Sequence, residues 1–322
     1  MRRSPVALAL VAVALTAAAC GGSGKSSSDT SSTDVAASDN GNAAGILSAI
    51  DTKAVTGPQK LKLDLTVDIK GTPTDAQLAV FTKQPIHLGL EGVVDATGKS
   101  GDVDVSVTLG DTPIKAGIRY GAGKSWIEID GKWYDLPADA LSSTTGQALP
   151  TGTSASSFDA GKILAAIGDP SKLLENASVS SEKVEDIDSD KVSGDVNMAG
   201  VANAAASLSQ SMGSGDGKAP TQAEIDKAAT QLDDVVKKAH VDLWVGKDDH
   251  KVHRLAFAVD GAMDDGTKKS TGIESLTVNF DVTTVDAEAP DISAPSSVGT
   301  PAEFQTAFLG LFGKIMSGAA AG

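Results

Sequence analysis

Strict alternation of apolar and polar residues constrains this chain more than any other feature. Residues 60–70, KLKLDLTVDIK, place an apolar side chain at every second position from Leu61 to Ile69, with Lys, Asp and Thr between them. Successive side chains of a β-strand point to opposite faces of the sheet. This segment is therefore predicted to be a strand with one buried face and one face in water. The same alternation recurs in residues 102–110, DVDVSVTLG, and in residues 275–285, SLTVNFDVTTV.

Two predicted turns join further strands into hairpins. Gly110-Asp111 separates strands predicted at 103–109 and 113–120, and the polar run 247–249 separates strands predicted at 241–246 and 251–259. Short turns rich in Gly and Asp are typical of β-hairpins. The sequence thus predicts a meandering antiparallel sheet, which is expected to curve because it has many strands.

Amphipathic helices are predicted to cover the apolar face of this sheet. Apolar residues recur at helical spacing in residues 43–54 and again from Ile225 to about Ala239, after a capping box at Thr221 and Glu224. Residues 159–175 hold two further short helical stretches. Because an apolar sheet face and amphipathic helices bury one another, the predicted fold class is α+β, a curved antiparallel half-barrel wrapped around amphipathic helices. The candidate walls of a ligand space between these layers are Leu63, Leu65, Val67, Val103, Val105, Val107, Leu276, Val278, Phe280, Ile225, Leu232 and Val236.

The start of the chain predicts export and a lipid anchor. Two arginines, an apolar run from Val6 to Leu15 and small residues up to Ala19 are typical of a secretory signal peptide, residues 1–19. Cleavage there leaves Cys20, the chain's single cysteine, at the new N-terminus, where bacterial lipoproteins carry diacylglycerol. The alternative is a plain signal peptide followed by an incidental cysteine. We favour lipidation because residues 21–42 are rich in Gly and Ser, as the flexible tether of an acyl anchor is.

The charge of the chain excludes two classes of partner. The formal net charge is −15 at pH 7, so the surface repels nucleic acid and anionic headgroups alike. Attachment to the outer face of the cytoplasmic membrane is therefore expected to come from the lipid on Cys20. The sequence identifies no protein partner in the envelope.

Four segments carry a family resemblance. They are GKWYDLP at 131–137, DAGKILAAIGDPSKLLENASV at 159–179, DKVSGDVNMAGVANA at 190–204 and VDLWVGKDDHKVHRLAFAV at 241–259. Together with the order of helix and strand signals over residues 43–290, they resemble the LprG/LppX-type lipoproteins of mycobacteria, relatives of the LolA and LolB lipoprotein carriers. The resemblance implies a LolA-like half-barrel in which the gap between sheet and helices holds acyl chains of envelope lipids or lipoglycans. The protein would carry or present them without catalysis.

The segment 291–322 extends beyond this resemblance. Thr300 and Glu303 form another predicted capping box, followed by an apolar stripe that includes Phe304, Phe308 and Leu311. We favour a helix that docks on the domain's own apolar surface. The alternative is a mobile plug or membrane-dipping helix that governs access to the ligand space.

No catalytic residue, cofactor or metal site is expected. The region 240–253 contains His240, His250 and His253 beside two aspartates, but strand positions three apart point to opposite faces, so His250 and His253 are not expected to share an ion. The same apolar residues fill an interior as readily as they wall a cavity. A non-enzymatic interaction or regulatory module with a filled core therefore stays open as the alternative function.

Overall fold

A computed structural model describes residues 43–51, 57–74, 78–95, 100–109, 112–135, 174–199, 222, 226, 230 and 234–321. The predicted signal peptide, Cys20 and the tether lie outside the described residues. So do Ile225 and Leu232, and the helical stretches predicted at 159–173.

In the described part of the chain, twelve strands form one sheet. They are Pro58–Gly71 (β1), Ile86–Asp95 (β2), Gly101–Leu109 (β3), Thr112–Gly121 (β4), Lys124–Ile129 (β5), Lys132–Asp135 (β6), Leu174–Val184 (β7), Ile187–Val196 (β8), Val236–Gly246 (β9), Val252–Ala262 (β10), Ile273–Asp286 (β11) and Val298–Gly299 (β12). The alternating segments named above form β1, β3 and β11, as predicted.

The sheet consists of two meanders that meet in its middle. Its order is β12-β6-β5-β4-β3-β2-β1-β11-β10-β9-β8-β7, so β1 and β11 join the N-terminal meander to the C-terminal one. Neighbouring strands are antiparallel except β12, which pairs with β6 in parallel. A large open sheet is therefore confirmed, whereas the expectation of a purely antiparallel one is wrong at this edge.

Both predicted pairs of strands are present, and Gly110 and Asp111 of the first predicted turn lie outside the described residues. β3 and β4 pair along their whole lengths, and β9 and β10 pair around a turn at residues 247–249. His250 follows that turn with a φ of +55°, outside β10, so it is not a strand residue. The prediction that His250 and His253 lie on one strand is therefore wrong.

Few helices are described. They are Ala43–Ser48 (α1), the short 3₁₀ helix Leu78–Thr82, Asp265–Thr271 (α2) and Pro301–Ala321 (α3). In the described part of the chain, no helix combines the length and the apolar character needed to cross a membrane.

Three predicted helix boundaries are wrong. α1 ends at Ser48 instead of residue 54, and Leu174 and Glu175 begin β7 instead of ending a helix. The helix predicted up to about Ala239 gives way to β9 at Val236, which pairs with Gly261. The apolar spacing through Ala239 suits a helix, but pairing of these residues with β10 outweighs local periodicity, and β-branched valine favours a strand.

Candidate functional site

One face of the sheet is apolar across adjacent strands. The register places Val107, Leu88, Leu65, Phe280 and Phe257 directly opposite one another on β3, β2, β1, β11 and β10. We call these five residues the central row. All five are half-buried, although they occupy the middle of the sheet. A filled core would bury residues in such positions almost completely.

The row of side chains beside the central row is more deeply buried. Leu63 and Val282 face each other beside the central row, and they are 8% and 1% exposed. They form a buried cluster with Leu61 and Val94, against which Leu65 and Phe280 pack in part. The sheet therefore changes from core to half-exposed apolar surface within two residues along β1.

α1 covers one side of this apolar face. Leu47 and Ile50 pack on Val192, Leu243 and other buried residues of β8, β9 and β10. The backbone N–H of Asp51 donates to the carbonyl of His250 at 2.9 Å, which fixes the segment after α1 to the turn between β9 and β10.

α3 covers the opposite side of the same face. Phe304 is buried against Ile129 and Tyr134, with Phe308 and Leu311 packed beside them. α3 extends from β6 over β4 and β3 to the 3₁₀ helix. The favoured prediction, that this helix docks on the domain's own apolar surface, is confirmed for these described side chains.

The predicted capping box fixes the start of α3. The hydroxyl Oγ1 of Thr300 accepts from the N–H of Glu303 at 3.3 Å, and the Glu303 carboxylate accepts from the N–H of Thr300 at 2.8 Å. Lys132 on β6 donates to the same carboxylate at 2.7 Å. The bond from Lys132, together with those from Thr300, lowers the pKa of Glu303 to about 2.

The chain between β11 and β12 brings α3 to this position. It passes the end of β4, where Arg119 donates to the carbonyl of Ser293 at 3.5 Å and Ile292 packs closely over Gly121. At Gly121, a Cβ atom would lie 2.7 Å from the Ile292 side chain, so the glycine is needed for this contact.

The other face of the sheet is mostly polar, and several of its charges are paired. Arg254 binds Asp281 on the neighbouring strand with two of its nitrogens, at 3.1 and 2.6 Å, and this pairing raises the pKa of Arg254. Trp244 lies between the cations of Lys191 and Arg254, with ring distances of 4.7 and 4.3 Å, and donates to Glu182. Such bidentate and stacked contacts make a stable surface rather than an open site.

Tyr120 lies at one end of the apolar face. Tyr120, at the end of β4, faces Gly101 on β3, in line with Val103 and Val105 on the same side of the sheet. Burial and the charge of Asp95 raise the pKa of Tyr120.

The nine strand residues predicted as cavity walls share this apolar face. The register places them on β1, β3 and β11 in matching rows, with Leu63 and Leu276 buried and the others half-buried. Val236 lies apart, half-buried at the start of β9. Sequence reasoning missed Leu88, Phe257 and Tyr120; the alternation Ile86, Leu88, Leu90 was a signal for the first of these.

The histidines make protein contacts. His253 is 4% exposed, with Nε2 at 3.1 Å from the Asp249 carboxylate and Nδ1 at 3.2 Å from the carbonyl of Thr284. His240 lies between Asp195 and Asp242, at 3.2 and 3.3 Å. Among the residues that the structure describes, no three His, Cys, Asp or Glu side chains are arranged to hold a metal ion.

No protein-family model and no curated protein matches the sequence. Among solved structures, the chain is similar to LprF from Mycobacterium bovis, with 13% identity and a TM-score of 0.36, over 82% of this chain and 100% of that chain. It is also similar to a beta-barrel-like protein with a domain of unknown function from Brucella abortus, with 9% identity and a TM-score of 0.15, over 74% of this chain and 100% of that chain. At these TM-scores the likenesses carry no argument about function.

Proposed function

We propose that this protein binds acyl chains of envelope lipids or lipoglycans on the apolar face of its sheet and carries or presents them without catalysis. The central row is the observation that supports this most directly. Its five side chains are large, apolar and half-buried in the middle of the sheet, between α1 and α3. A surface of this kind offers dispersion contacts and dry area with no polar recognition, which suits alkyl chains.

The energetics of alkyl binding favour such a surface. Each buried methylene group contributes about 0.8 kcal/mol, so a long acyl chain gains enough to outweigh the cost of ordering it. The resemblance to LolA-like half-barrels implies helices over this face of the sheet, and we propose that such a cover encloses the acyl chains on the central row.

We propose that the protein acts at a membrane surface. A signal peptide of residues 1–19 directs export, and an acyl group on Cys20 anchors the chain to the outer face of the cytoplasmic membrane. Residues 20–42 tether the lipid-binding domain of residues 43–290, and residues 291–322 add the C-terminal helix. The net charge of −15 argues against a nucleic-acid partner and against a basic membrane patch.

A bulky residue on the apolar face tests the proposal. Val105 is half-buried on β3 and its neighbour Ser106 is exposed on the opposite face, so V105W and S106W form a matched pair. V105W should lower the fraction of protein that carries lipid in native mass spectrometry by several-fold, because the indole takes the space of an acyl chain. S106W should leave that fraction unchanged. Equal, full occupancy in a folded V105W variant would contradict the proposed site.

A further inference from the structure

A buried hydroxyl without a partner lies at one end of the apolar face. Tyr120 is 9% exposed, and its Oη is fully buried with no hydrogen-bond partner among the residues that the structure describes. Buried polar atoms in proteins are nearly always bonded, since an unpaired one costs free energy. This hydroxyl is therefore an unexplained group on the same face as the central row.

Packing explains the ring of Tyr120 but not its hydroxyl. A Cβ atom on Gly101 would lie 2.6 Å from ring atoms of Tyr120 and 2.7 Å from Oη, so the phenol end of the side chain packs closely against this glycine. From β4 the ring thus reaches across β3 toward β2, where Val94 is the register partner of Gly101. Phenylalanine would cover the glycine equally well.

The surroundings limit what this hydroxyl can bind. Burial and the charge of Asp95 both favour the protonated phenol, which has a hydrogen to donate. A carboxylate nearby also repels an anionic ligand group. The complementary group is a neutral oxygen, such as the carbonyl of an ester.

We propose that Tyr120 donates a hydrogen bond to a neutral ester oxygen of the lipid whose acyl chains lie on the central row. The inference rests on the proposed function and adds the orientation of the ligand. From Gly101 to Val107, β3 rises roughly 20 Å, a distance that an extended long acyl chain spans. The polar end of the lipid thus lies where β2, β3 and β4 meet, and the chains extend toward the central row.

The test uses the whole exported protein with Cys20 replaced by serine, so that no acyl anchor competes. Binding is measured by displacement of the fluorescent hydrocarbon diphenylhexatriene, with an alkane and with the fatty-acid methyl ester of similar chain length. The variant is Y120F, and the control is Y134F, which makes the same change on the same face beneath α3.

Y120F should weaken binding of the methyl ester by about 2- to 10-fold and leave alkane binding unchanged. Y134F should change neither. Equal binding of the ester by Y120F and the parent, or equal weakening of ester and alkane, would overturn the role of Tyr120 while leaving the proposed function standing. Failure of the parent to bind diphenylhexatriene or either ligand would overturn the proposed function itself, and this inference with it.

Discussion

Leu63 and Leu65 lie two residues apart on the same face of β1, yet we assign Leu63 to the core and Leu65 to the ligand surface. Leu63 is 8% exposed in a buried cluster, whereas Leu65 is half-buried in the central row. Truncation of each leucine to alanine therefore separates core from ligand surface on one strand. The two substitutions share residue type, strand and face, so the comparison isolates the burial of the leucine.

The expected costs follow from burial. L63A removes a buried side chain and leaves a cavity, so it should lower the free energy of unfolding by about 2–5 kcal/mol. L65A gives up side-chain area that is already partly in water, and full burial of leucine is worth about 1.5–3 kcal/mol, so its cost should be about 1 kcal/mol. The predicted difference is at least about 1 kcal/mol in lipid-free protein.

Equilibrium urea unfolding of delipidated protein, followed by tryptophan fluorescence, measures both values. Saturating lipid should then stabilise the parent more than L65A, since ligand that binds the folded state raises the free energy of unfolding according to its affinity. If L65A costs as much as L63A without lipid, the central row is part of a filled core and the reasoning is refuted.

Three further predictions concern the C-terminal helix and the anchor. E303Q should destabilise the docking of α3 at neutral pH, because the carboxylate's bond to Lys132 and its capping bonds are weakened. Since the pKa of Glu303 is lowered to about 2, the stability difference from the parent should be full above about pH 4.5 and should disappear as the pH falls through about 2. A difference that persists at lower pH would contradict the charge-based explanation. F304A should expose Ile129 and speed amide hydrogen exchange throughout α3, whereas exchange that stays at the parent's rate would show that α3 is held in another way. C20S should move the protein from the membrane fraction to the soluble fraction, and retention in the membrane would exclude the acyl anchor.

The alternation of apolar and polar residues predicted the strands that have one face in water and one face in the core. β1, β3 and β11 alternate strictly because each has one apolar and one polar face. β7 was not predicted, since it is an edge strand whose side chains are mostly exposed and polar on both faces. An exposed strand has no reason to alternate, so periodicity gives no signal there.

The helix predicted through Ala239 shows that a clear periodic pattern can also predict the wrong element. Apolar spacing continued past Val235, yet residues from Val236 pair with β10, and long-range pairing outweighs local pattern. The rows of the candidate site could not be predicted from the sequence either. Leu65 was a predicted wall residue, but its alignment with Leu88, Phe280 and Phe257 depends on strand order and register, which a single sequence does not specify.

Organic extraction of purified C20S protein from an actinobacterial host, followed by lipid mass spectrometry, shows whether the protein carries lipid. The variant has no acyl anchor, so any lipid found with it is cargo. We expect a lipid with two or three acyl chains in stoichiometric amount. A folded protein that yields no lipid would contradict it and favour an interaction module with a filled interior.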